Sequence, residues 1–106
     1  MPVLPETLPG ARDFTTMNDP LQGLLNEVVV LDTTSPIVYI GTLVAVTEHT
    51  FVLRDTDMHD CRDGHANKEQ YVAQTRCDEV SVNRKKVIVM RSAVISLSRL
   101  EDIVSE

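Results

Sequence analysis

The chain has no tryptophan, and only two tyrosines and two phenylalanines in 106 residues. Any core must therefore be aliphatic. There are two cysteines, Cys61 and Cys77, too few for a disulfide framework, so free thiols are the default. No apolar run approaches the roughly 18 residues a membrane-spanning helix needs, and the N-terminus lacks the basic-then-apolar pattern of a signal peptide. The expectation is a soluble cytoplasmic protein with no membrane partner. Positive charge is scarce: the formal net charge is −6, which argues against a bulk-basic nucleic-acid binder but leaves room for a local patch. Apart from Arg12, every Lys and Arg lies between Arg54 and Arg99. There is no Gly-flanked serine, phosphate loop or metalloprotease helix. The chain is not expected to be an enzyme, and no catalytic residue or cofactor is assigned.

What is present is concentrated in Glu27 to Leu53, where Val28–Leu31, Ile37–Val46 and Phe51–Leu53 form three apolar runs rich in Val, Ile and Thr. Branched Cβ atoms favour a pleated, half-buried surface. Thr33-Thr34-Ser35-Pro36 and Thr47-Glu48-His49-Thr50 separate the runs with turn chemistry. Three consecutive antiparallel strands follow. Gly41 sits near the centre of the long middle one, and a glycine there marks a sharp bend or a close backbone approach. A strand bent in this way serves both halves of a small, strongly curved sheet, as in small barrels.

Around this centre the chain reads as one domain. Residues 1–18, with Pro2, Pro5, Pro9 and Gly10, form a flexible arm; residues 19–106 form the domain. Asp19 as N-cap, Pro20 at the first helical position and Leu21, Leu24 and Leu25 as one stripe predict a two-turn N-terminal helix ended at Asn26. After Leu53, Asp55, Asp57 and His59 alternate with Arg54, Thr56 and Met58, placing these three on one face of a polar, solvated extension. With Cys61 and His65 nearby they invite a metal, but the spacing matches no standard zinc pattern and no metal site is assigned. An insertion over about 59–84 contains a predicted helix from about Ala66 to Cys77, with Tyr71, Val72 and Thr75 inward. Lys85–Arg91 and Ala93–Ser98 complete the strands, with a tight break at Ser92, and the apolar residues of Leu100–Val104 cover an edge.

This order resembles the Sm/LSm family: a short helix, three strands with a glycine-bent second, a variable insertion, and two strands joined by a tight turn. The specific residues are Val28-Val29-Val30 followed by Tyr39-Ile40-Gly41-Thr42-Leu43, matching the alternating valines and the aromatic-x-Gly-x-Leu segment of the first family motif. Val87-Ile88-Val89-Met90-Arg91-Ser92 followed by Ala93-Val94-Ile95 matches the second. The resemblance covers about Asp19 to Leu97, and the Gly41-to-Leu53 spacing is similar to that of the bacterial Hfq branch. It implies a mostly β fold, an Sm-like, strongly bent, five-stranded antiparallel open barrel with an N-terminal helix and a helical insertion between strands three and four.

The resemblance also implies a homo-oligomeric ring, a hexamer or heptamer, in which strand four of one copy pairs strand five of the next, and an RNA-binding pore lined by two loops. Carried over, those loops are Thr47, Glu48 and His49, and Met90, Arg91 and Ser92, with single-stranded RNA as the partner and RNA binding or RNA chaperoning as the function. The chain departs from the pattern by lacking the Asn of the first loop and by carrying Ser92 where the family has glycine. With the acidic charge, these departures keep open a scaffold ring for protein interactions that does not bind RNA. By itself, Arg91 reads as a solvated strand-end arginine and His49 as an exposed turn histidine. Arg84-Lys85-Lys86 reads equally as a phosphate-binding cluster or as an edge-strand guard against aggregation.

Overall fold

The computed structural model of the chain describes residues 20–62 and 67–104. Five antiparallel strands form one sheet: β1 (Val28–Thr33), β2 (Ile37–Val46), β3 (Thr50–Asp60), β4 (Arg84–Met90) and β5 (Val94–Arg99), with a helix α1 (Lys68–Cys77) between β3 and β4. The spatial order is β4-β3-β2-β1-β5, so two strands adjacent in sequence occupy opposite edges. Only the three-residue 3-10 turn Arg91–Ala93 joins them. Three residues reach at most about 10 Å, less than the width of five strands spaced about 4.8 Å apart. The sheet must curl until its edges approach each other. The turn also hydrogen-bonds beyond both ends of β2: the Arg91 N–H donates to the His49 carbonyl at 2.8 Å, and the Ala93 carbonyl accepts from the Thr34 N–H at 3.0 Å.

The bend lies at Gly41. Ile40 pairs with Asp57 and Thr42 with Arg54, so Asp55 and Thr56 together stand opposite Gly41 alone. This is a bulge, with Asp55 in the left-handed region at φ 50°. A Cβ on Gly41 would come within 2.9 Å of the Thr56 Cβ and 3.0 Å of its Cα, so no other residue fits without displacing β3. The bulge breaks the expected alternation. Asp55 is exposed, Asp57 is buried at 2% exposure, and His59 is half-buried. The three do not share a solvated face. His65, placed near them by the sequence, lies outside the described residues.

Two cores result. Inside the curl, Val29, Leu31, Leu43, Val46, Phe51, Leu53 and Val89 pack together, with Leu21, Leu24 and Leu25 against them. On the outer face, Val30, Val38, Ile40 and Val72 form a second cluster beneath α1, with Tyr71, Leu100 and Ile103 around it. Successive residues of β1 point to opposite faces, and here both faces are covered. The helix begins where Asn67 and Gln70 cap each other, the Gln70 N–H donating to Asn67 Oδ1 at 2.8 Å and the Asn67 N–H to Gln70 Oε1 at 3.0 Å. Tyr71, Val72 and Thr75 do face inward.

The N-terminal helix is reduced to one 3-10 turn, Gln22–Leu24. Leu25 is extended, Asn26 takes φ 69°, and the Asn26 N–H already donates to the Leu43 carbonyl at 2.7 Å. The sheet ladder claims the backbone before a second turn can form. Asp19 and the arm 1–18 lie outside the described residues. Among the described residues, no helix is long and apolar enough to cross a membrane.

Candidate nucleic-acid interface

The β2–β3 loop is held by one side chain. Thr47 Oγ1 accepts from the Thr50 N–H at 2.9 Å and the His49 N–H at 3.3 Å, and shares a 2.6 Å hydrogen bond with Thr50 Oγ1. This local turn chemistry leaves Glu48 and His49 at the tip, their side chains 62% and 76% exposed and 3.8 Å apart. The β4–β5 turn is fastened to this loop by Arg91. Besides the backbone bond to His49, Arg91 Nη1 donates to the Thr47 carbonyl at 2.9 Å, and the guanidinium lies over the Phe51 ring, 5.0 Å from its centroid. Met90 and Ser92 flank it, both exposed. All six residues singled out from the sequence, Thr47, Glu48, His49, Met90, Arg91 and Ser92, therefore lie on one surface. The arrangement offers an exposed imidazole, hydroxyls and one guanidinium, groups able to stack and to hydrogen-bond.

The sequence reading missed a second polar cluster, on the other side of the bend. The Tyr71 hydroxyl donates to Asp57 Oδ2. Asn83 Nδ2 donates to Asp57 Oδ1 at 3.3 Å and to the Met58 carbonyl at 3.1 Å, while Asn83 Oδ1 accepts from the Met58 N–H at 3.0 Å. The His59 ring stacks on Tyr71, centroids 3.7 Å apart. Burial, and secondarily the Asp57 hydrogen bond, push the Tyr71 hydroxyl up to about 12. Lys68 Nζ reaches Asp32 Oδ1 at 2.6 Å and the Thr33 carbonyl at 2.9 Å. The Tyr71 and Lys68 contacts tie α1 to the sheet, and the Asn83 contacts tie the connector after it to β3. The signal available in the sequence was the Asn67…Gln70 cap; nothing marked Asn83.

No family model matches the chain, and no curated protein does. The fold, however, matches solved structures. The Sm protein of Pyrococcus abyssii, determined in complex with a uridine heptamer, is similar to this chain with a TM-score of 0.52 at 16% sequence identity, over 79% of this chain and 97% of that one. The fold of this chain is Sm-like.

Proposed function

We propose that this protein is a ring-forming Sm-like subunit that assembles with copies of itself, as a hexamer or heptamer, and binds single-stranded RNA through Thr47–His49 and Met90–Ser92. The role is binding, not catalysis. The observation that carries the reading is the pair of Arg91 hydrogen bonds into the neighbouring loop, which make the two loops one surface. A closed ring repeats that surface once per subunit around its axis. The uridine heptamer held by the Pyrococcus abyssii Sm protein supports the ligand class. His49 stacks on a base, Ser92 hydrogen-bonds, and the ring of Arg91 side chains supplies positive potential.

The test is retention of an oligouridine strand as salt is raised. Binding should be strongest at low salt and fall linearly on a log–log plot. Replacing His49 by Ala should weaken it by about 1–3 kcal/mol per stacked base. No retention at low salt overturns the RNA reading. A second reading, a protein-interaction ring, is favoured by the acidic Glu48 at the tip and by the inward turn of the Arg91 guanidinium onto Thr47 and Phe51. It predicts the same ring with no RNA affinity, so the same titration separates the two.

A further inference from the structure

The two open edges of the sheet carry opposite charge. Arg84, Lys85 and Lys86 begin β4, all exposed, and no carboxylate among the described residues pairs with any of them. Lys86 stands directly opposite Arg54 in the β3–β4 ladder, where Asp55 pairs with the Arg54 guanidinium at 3.0 Å and leaves the β4 cluster as the uncompensated charge. Just beyond β5, in the 3-10 turn Leu100–Asp102, the sign reverses. Arg99 lies among three carboxylates, Glu101 at 2.8 Å, Asp102 at 3.0 Å and Glu27 at 4.0 Å, and Arg76 donates to the Glu101 carbonyl at 3.3 Å. Their hydrogen-bonded geometry holds the Arg99 guanidinium up and the Asp102 carboxyl down, and the group keeps an excess of negative charge at an exposed edge.

The apolar residues follow the same polarity. Ile88 and Met90, 57% and 53% exposed, lie in the second half of β4; Ile95, 63% exposed, lies near the start of β5. Laid antiparallel, the basic start of β4 points toward the acidic turn that follows β5, and the apolar end of β4 meets the apolar start of β5. Laid parallel, both matches are lost, and Arg84–Lys86 face Val94–Ser96.

We infer that the seam between copies of this chain is keyed by charge, with Arg84–Lys86 of one copy seated against the Glu101–Asp102 turn after β5 in the next. This rests on the head-to-tail assembly proposed above and adds what sets its direction and register. The basic cluster is then part of the seam rather than a phosphate site or a simple guard of the edge. Attraction of this kind steers association and selects register, and ions screen it within a Debye length.

The experiment compares the wild-type chain with two charge reversals, Lys85→Glu with Lys86→Glu, and Glu101→Lys with Asp102→Lys, by native mass spectrometry and light scattering across a salt series, with circular dichroism to confirm folding. Each reversal alone should weaken assembly at least about tenfold. Combining all four substitutions in one chain should restore it, and mixing the two reversed proteins should restore rings of even subunit number, since their copies must alternate. Wild-type rings should loosen as salt rises, a readout that stands even where a variant fails to fold. Reversed variants that assemble as wild type does, or wild-type rings indifferent to salt, overturn the key while leaving ring assembly intact. A wild-type monomer overturns ring assembly itself. Intact rings that lose only RNA retention in the Lys85/Lys86 variant return the cluster to phosphate binding and overturn the inference.

Discussion

The inner and outer cores of this protein are built by different means. Inside the curl, seven side chains, all aliphatic except Phe51, fill the space between strands. Beneath α1, Val30, Val38, Ile40 and Val72 form a smaller buried cluster among the described residues, with half-buried side chains such as Tyr71, Leu100 and Ile103 packed around it, under a ten-residue helix that has almost no stability of its own. Polar contacts close that layer: Lys68 on Asp32, Tyr71 and Asn83 on Asp57, and His59 stacked on Tyr71. The inner layer needs only residues of the right size and period. The outer one needs particular donors and acceptors at particular places, because a buried polar group left without a partner is costly.

Substitutions should separate the two layers, and each is read as a shift in the urea midpoint at unchanged slope. The largest effect belongs to the bend they share. Gly41→Ala drives a methyl into the Thr56 Oγ1, Cβ and Cα and should cost about 3 kcal/mol or more. Next, Asp57→Ala removes the common acceptor of Tyr71 and Asn83 and should cost about 2–3 kcal/mol, with hydrogen exchange rising across α1 before the inner strands. Tyr71→Phe leaves Asn83 on Asp57 and should cost about 1–2 kcal/mol. The smallest effect is on Thr56, whose Oγ1 is buried without a hydrogen-bond partner among the described residues. Thr56→Val should be neutral or stabilise by up to about 1 kcal/mol. A large loss there would mean that the hydroxyl has a role the layer contrast does not contain.

Alkaline titration sharpens the same contrast. The Tyr71 hydroxyl is raised to about 12 from an ordinary 10.0, so the folded state holds its proton more tightly than the unfolded chain does. The stability this confers is complete below pH 10 and falls as pH rises from about 10 to about 12. Absorbance of tyrosinate should show one group titrating near 12, and the loss of stability across that window should disappear in Tyr71→Phe.

The same contrast governs what could be read from the sequence. The five strands, the bend at Gly41 and the tight turn after Met90 were legible because β-branched runs, a lone strand glycine and turn residues act locally. The loop residues Thr47–His49 and Met90–Ser92 were found by family position, and the structure brings them together. The Asp57 cluster was not legible. Asp55 in the left-handed region shifts the side-chain alternation by one residue, and an aspartate does not announce that conformation in advance. Asn83 comes from an irregular connector with no periodicity. The N-terminal helix was over-read because capping signals at Asp19 and Pro20 do not reveal that Asn26 and Leu43 will pair in the sheet.

The claim on which the functional account depends is that β4 and β5 complete each other between copies, since both are open edges with exposed apolar residues. Native mass spectrometry of the wild-type chain tests it most directly. The account predicts a single closed oligomer whose subunit number does not change with protein concentration. A monomer, or an open-ended ladder of species that lengthens with concentration, contradicts it.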